Sequence, residues 1–268
     1  MALLLYVVML IIIITILFKI SPIARYYLKY LWFGAASGVF ASAPIPLMLL
    51  RPRDSRNALI PAAGILFGCR LLGVTTSLEG HENIIRDSGC VVLINHQSML
   101  DLLVLGKLWP AMDNCAVISK KEILYFQPFG SAAWLWGTIF IDRVKKENAQ
   151  AAVNKTGETI RSRKARVLMF PEGTRNFTDK LLPFKKGAFH LAIASKCPIQ
   201  PVVVNRYRFL GKHKFDSGHI RIKILPAIST ENYTTENMQE LMDKTYKIMS
   251  ENVDLLTREE DDKIKKTK

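Results

Sequence analysis

The amino-acid sequence predicts an α/β fold in which a mixed, mostly parallel sheet is flanked by helices, with a membrane-embedded pair of helices ahead of it. Three observations lead there. No charge interrupts the first segment, MALLLYVVMLIIIITILF, from Met1 to Phe18. From about residue 60, short runs rich in Val and Ile alternate with amphipathic or polar stretches, the pattern of strands alternating with helices. Polar clusters then follow directly on several of those runs, at the strand ends where ligands bind in open α/β sheets.

The first segment is at the short end of what spans a bilayer. It lacks the positive n-region and small-residue cleavage site of a secretory signal, so a retained anchor is the expectation. A second apolar run, Tyr30–Leu50, follows a basic link (Lys19, Arg25, Lys29) and ends in RPRDSR with Arg51, Arg53 and Arg56. Two full crossings would put one basic cluster on the outer side, against the positive-inside rule. A re-entrant second segment, or a pair dipping into one leaflet, removes the conflict, and Pro44 and Pro46 are compatible with either. The expected division is an anchor over residues 1–57, one span plus a spanning or re-entrant segment, and an α/β domain over 58–268.

Within that domain, the expected strands are Val74–Leu78, Cys90–Ile94, Cys115–Ser119, Thr138–Ile141, Val167–Phe170, Ile199–Val204 and Ile220–Leu225. The expected helices are Ser98–Leu108, Lys146–Arg163, Lys186–Lys196 and Glu236–Leu256.

Lys and Arg outnumber Asp and Glu by 37 to 23, a net charge of +14 that suits anionic lipid, a phosphorylated substrate or nucleic acid. No basic helix with interleaved aromatics and no zinc-finger spacing is present, so nucleic acid is not the expected partner. Four cysteines (Cys69, Cys90, Cys115, Cys197) are scattered with no C-x-x-C, which argues for reduced, buried thiols rather than a disulfide framework or a metal site.

Three polar clusters sit just after expected strands. In NHQSMLD (95–101), His96 and Asp101 are five apart and would lie about 140° from each other on a continuous helix. They meet only if His96 is in the turn before the helix and Asp101 in its first turns. Ser98 is a good N-cap, and Ser98-x-x-Asp101 also fits a capping box. One carboxylate is not expected to serve cap and histidine fully. In FPEGTR (170–175), Pro171 ends the strand, Gly173 allows close backbone approach, and Glu172 and Arg175 offer an acceptor and a bidentate phosphate binder. An ordinary turn with a surface ion pair is the plainer alternative. In GTIFIDR (137–143), an apolar strand delivers Arg143, while Lys120, Lys121, Lys185 and Lys186 add positive field.

Together these clusters resemble the glycerolipid acyltransferases, most closely the 1-acylglycerol-3-phosphate (lysophosphatidic acid) acyltransferases of the eukaryotic endoplasmic reticulum type. The four blocks appear in order: NHQSMLD, GTIFIDR, FPEGTR and CPIQPVVV (197–204), the last with Pro201. RPRDSRNA and FKKGAF fit as well, and the likeness covers about residues 50–210.

The resemblance implies the glycerolipid acyltransferase fold and acyl transfer from acyl-CoA to the sn-2 hydroxyl of lysophosphatidic acid, with no metal and no cofactor beyond that co-substrate. It assigns His96 as general base oriented by Asp101. Arg175, with Arg143, is assigned to the acceptor phosphate, and Glu172, Gly173 and Thr174, with Lys120, to substrate binding. Backbone N–H groups near the helix start are the expected oxyanion donors. The expected partners are acyl-CoA, lysophosphatidic acid and membrane lipid.

Three alternatives remain at this point: a relative acting on glycerol-3-phosphate or another lysophospholipid, a non-catalytic anionic-lipid binder, and Ser98 as an acyl-enzyme nucleophile. Three sequons (Asn154, Asn176, Asn232) stand in the chain, and a glycan on Asn176 would crowd Arg175. The expectation is an endoplasmic reticulum membrane protein whose domain faces the cytosol, with the terminal KKTK (Lys265–Lys268) as a dilysine signal.

Overall fold

A computed structural model describes residues 1–141 and 156–267. Helix α1 (Ala2–Ile20) buries none of its residues. The Ser21 side chain accepts from the N–H of Ala24 and Pro22 takes the first helical position, which starts α2 (Pro22–Ser42) at a break from α1. A single turn, Ile45–Met48, follows. Both long helices have the length and apolar content to cross a membrane.

The two differ in how they sit. α2 packs along α3 (Leu59–Arg70), with Trp32 Nε1 donating to the carbonyl of Gly68 at 2.9 Å and Lys29 Nζ to that of Leu72 at 2.9 Å. The Phe40 ring occupies the space a side chain on Gly64 would need, since a Cβ there would come within 2.3 Å of it. Phe33, Ala36, Ala41 and Met48 thereby share one core with Val92, Ile94 and Leu103. That core runs continuously across the expected division at residue 57.

The seven-stranded sheet has the order β1-β9-β6-β2-β5-β3-β4. Its strands are β1 (Val74–Glu79), β2 (Cys90–Ile94), β3 (Cys115–Lys120), β4 (Ile139–Ile141), β5 (Arg166–Met169), β6 (Ile199–Val204) and β9 (Gly218–Ile224). β6, β2, β5, β3 and β4 run parallel, while β9 is antiparallel to β6 and carries β1 alongside it. A two-stranded ribbon, β7 (Leu210–Gly211) and β8 (Lys214–Phe215), bridges β6 and β9.

Burial on both faces explains the unbroken apolar run of β2. Cys90, Val92 and Ile94 point into one core with α2, α3 and α4 (Asp101–Met112). Val91 and Leu93 point into the other, with α6 (Gly187–Ala194) and α7 (Met238–Thr267). A short helix, α5 (Phe129–Leu135), precedes β4, and residues 156–163 are helical before β5.

Every expected strand is present, with ends shifted by two residues at most. The expected helix Lys146–Arg163 is seen over 156–163, its remainder lying outside the described residues. Two further helices, α3 and α5, had no counterpart among the expected elements.

Candidate active site

The polar segment after β2 is held from three sides. The Asn95 amide accepts from the N–H of Val204 at 2.8 Å and donates to its carbonyl at 3.0 Å, tying the ends of β2 and β6. Gln97 Nε2 reaches the carbonyl of Asn205 at 2.9 Å. His96 itself is gripped by the loop after β5: its N–H donates to Glu172 Oε1 at 2.9 Å, and its carbonyl accepts from the N–H of Asn176 at 2.9 Å. The imidazole stacks on Phe170, with ring centroids 4.0 Å apart.

Here His96 Nδ1 lies 2.6 Å from Asp101 Oδ2. That oxygen also accepts from the N–H groups of Gln97 at 2.7 Å and Ser98 at 3.1 Å, while Oδ1 accepts from the Tyr207 hydroxyl at 2.7 Å. An acceptor facing so many donors requires the imidazole to donate through Nδ1, leaving the Nε2 lone pair for chemistry. Asp101 is buried with its side chain 3% exposed, whereas the His96 side chain keeps 20% of its surface open. Burial, and then the charge of Asp101, push the Tyr207 phenol well above its usual range, so it stays a donor.

The cap and the pair therefore share one local geometry, and Asp101 satisfies both more fully than expected. The carboxylate serves both because its second oxygen and a tyrosine supply the rest of its hydrogen bonding. The helix opens at Asp101 rather than at Ser98, whose Oγ accepts from the N–H of Leu100 at 2.9 Å. The N–H groups of Gln97, Ser98 and Leu100 all have protein acceptors, so these helix-start groups do not face an oxyanion. Ser98 is buried at 3% exposure, a poor placement for a nucleophile.

Glu172 is 1% exposed and both its oxygens are engaged, Oε1 by His96 and Oε2 by Asn176 Nδ2 at 3.0 Å and the N–H of Leu182 at 2.9 Å. It braces the loop that carries His96 and points away from solvent. Gly173 takes φ 72°, where a Cβ would also press within 3.2 Å of Lys185 Cγ. Thr174 and Arg175 are exposed, and Arg175 immediately precedes the residue bonded to the His96 carbonyl. Lys120 ends β3 at the same edge of the sheet, also exposed. Arg143 lies outside the described residues. No group of three metal-ligating side chains comes together among the described residues.

Tyr207 and Asn176 were absent from the expected site. Tyr207 follows β6, so the strand-end rule that selected the other clusters also applied to it.

A histidine backed by a buried carboxylate at the edge of an α/β sheet has the geometry that general-base chemistry requires. The Acyltransferase family model matches residues 76–205. Human 1-acyl-sn-glycerol-3-phosphate acyltransferase alpha is 35% identical over 227 residues, 84% of this chain and 80% of that protein. The 1-acyl-sn-glycerol-3-phosphate acyltransferase of Saccharomyces cerevisiae is 40% identical over 179 residues, 65% of this chain and 58% of that protein. In fold, the crystal structure of the Thermotoga maritima lysophosphatidic acid acyltransferase PlsC superposes with a TM-score of 0.65 at 22% identity, covering 87% of this chain and 97% of that one. The chain belongs to the 1-acyl-sn-glycerol-3-phosphate acyltransferase family.

Proposed function

We propose that the protein transfers an acyl group from acyl-CoA to the sn-2 hydroxyl of lysophosphatidic acid, releasing phosphatidic acid and CoA. The observation that carries this reading is the buried Asp101 carboxylate 2.6 Å from His96 Nδ1, with the imidazole edge left open. Nε2 takes the hydroxyl proton as the oxygen attacks the thioester carbonyl carbon. The tetrahedral adduct collapses with cleavage of the C–S bond, and the imidazolium returns the proton to the CoA sulfur. Asp101 holds the tautomer and stabilises the imidazolium.

Arg175, with Arg143, binds the acceptor phosphate, and Gly173 and Thr174 line the same loop; Lys120 adds positive field from β3. Glu172 acts on this site through the His96 backbone. The reaction needs no metal or resident cofactor. α1 and the outer side of α2 form the membrane anchor, where both lipids partition.

The domain faces the cytosol at the endoplasmic reticulum. One feature supports that side. Asn176 is buried with its Nδ2 bonded to Glu172 and to the Lys180 carbonyl, which leaves no room for a glycan.

The test is purified protein with labelled oleoyl-CoA and a panel of acceptors. Lysophosphatidic acid should be acylated at sn-2, and His96→Ala should lower kcat by roughly 10²–10⁴-fold. Turnover only with acceptors lacking a phosphomonoester would overturn the acceptor assignment.

A further inference from the structure

At the opposite edge of the sheet, a cavity of about 1030 Å3 opens beneath the N-terminal ends of β3, β4 and β5. Ala165, at its wall, precedes β5, and Phe170, which stacks on His96, follows it. Five residues of extended chain separate the two, about 16 Å. The cavity is thus distinct from the site around His96.

Its lining carries Arg51, Arg53, Arg56 and Arg163, with Asp54 as the one carboxylate among the described residues. Asp54 is paired with Arg56. Arg51, Arg53 and Arg163 thus line one space without a salt bridge among the described residues, Arg51 acting on Asp54 only at longer range, an arrangement that an anion stabilises.

The loop bearing them is built firmly. Asn57 Nδ2 donates to the carbonyl of Arg51 at 2.8 Å and of Leu135 at 2.9 Å, and Trp109 Nε1 to that of Ser55 at 2.7 Å. Arg53 is held in the left-handed region at φ 62°, its guanidinium 5.5 Å from the Trp134 ring centroid.

The apolar surroundings identify the source of the anion. Leu47, Leu49 and Leu50, directly before Arg51, are 63%, 62% and 78% exposed, and Trp134 at the cavity wall is 41% exposed. Apolar side chains grading into tryptophan and arginine are what a membrane–water boundary selects. We infer that this cavity holds the phosphate headgroup of an anionic phospholipid, with Arg51, Arg53 and Arg163 on the phosphate and the acyl chains against Leu49 and Leu50.

Full-length protein in neutral detergent, titrated with dioctanoyl phosphatidylglycerol, should give a saturable change in tryptophan fluorescence that Trp134→Phe removes. The Arg51→Gln/Arg163→Gln pair should weaken apparent affinity at least about ten-fold, and the corresponding lysine pair should keep it within about three-fold. Arg175→Gln, at the other edge of the sheet, should leave it unchanged, which separates failure here from failure of the proposed acceptor site. An equal response to dioctanoyl phosphatidylcholine would overturn the inference. So would displacement of the lipid by lower concentrations of coenzyme A or inorganic phosphate, which would assign the cavity to a soluble phosphate. Unaltered binding in the glutamine pair would overturn it as well.

Discussion

Replacing Asp101 by Asn tests how His96, the proposed general base, is held. In an ordinary histidine–aspartate pair the amide can turn its NH2 toward the imidazole and impose the wrong tautomer, at a cost of roughly 10⁴ in kcat. Here the position of Oδ2 faces the N–H groups of Gln97 and Ser98 as well as His96 Nδ1. An NH2 placed there would confront three donors. At the position of Oδ1 it meets only the Tyr207 hydroxyl, which can rotate and accept. The amide oxygen should therefore stay on His96 and the tautomer should survive. What is lost is the negative charge opposite the imidazolium, worth roughly 1.4–4 kcal/mol in contact. That corresponds to a fall in kcat of roughly ten- to a thousand-fold. The assay is steady-state turnover of lysophosphatidic acid with oleoyl-CoA, comparing Asp101→Asn, Asp101→Ala and His96→Ala. If Asp101→Asn is as inactive as His96→Ala, the backbone N–H groups do not set the orientation and the reasoning fails.

Three further outcomes follow from the same geometry. Glu172→Gln must present an amide NH2 to at least one of its three donors, so thermal unfolding should show a loss of about 1–3 kcal/mol together with reduced kcat; a change confined to the KM for lysophosphatidic acid would instead put Glu172 on the substrate. Arg175→Ala should raise that KM at least about ten-fold while leaving the KM for acyl-CoA near its original value, and a matched rise in both would remove its assignment to the phosphate. Burial pushes Cys69 and Cys90 up to about 12 and Cys197 to about 11 from an ordinary value of 9.0, with Cys115 higher still. The folded state then keeps protons that the unfolded chain gives up, so this stability is whole below about pH 9 and declines as pH climbs from about 9 to about 12; chemical denaturation across that range should show the decline, and a flat profile would contradict it.

How far the fold could be read from sequence depended on whether an element's reason was local. β2 and β6 match their expected ranges because both faces are buried and the apolar run has sharp ends. α3 went unread because LIPAAGILFGCR carries Pro61, Gly64 and Gly68, and its glycines answer to the Phe40 ring and the Trp32 indole of a helix distant in sequence. α7 continues to Thr267, past the expected end at Leu256, and two acidic residues just beyond that point find tertiary partners. Glu259 pairs with Arg221 at 2.9 Å and Asp261 with Arg208 at 3.4 Å. At the site, the pairing of His96 with Asp101 was legible from spacing and the family blocks. The roles of Glu172 and Tyr207 were not, because one depends on a backbone N–H and the other on a hydroxyl that only the folded sheet brings near.

α2 answers to two solvents at once. One side, with Phe33, Ala36 and Ala41, is part of the protein interior, while Leu31 and Val39 on the other remain uncovered by the chain. Severing the protein at residue 57 would strip that interior of a wall, whereas a cut at Ser21 would remove only a helix none of whose residues is buried. Removing the apolar N-terminal helices and loosening the hydrophobic interior are thus, beyond Ser21, the same act.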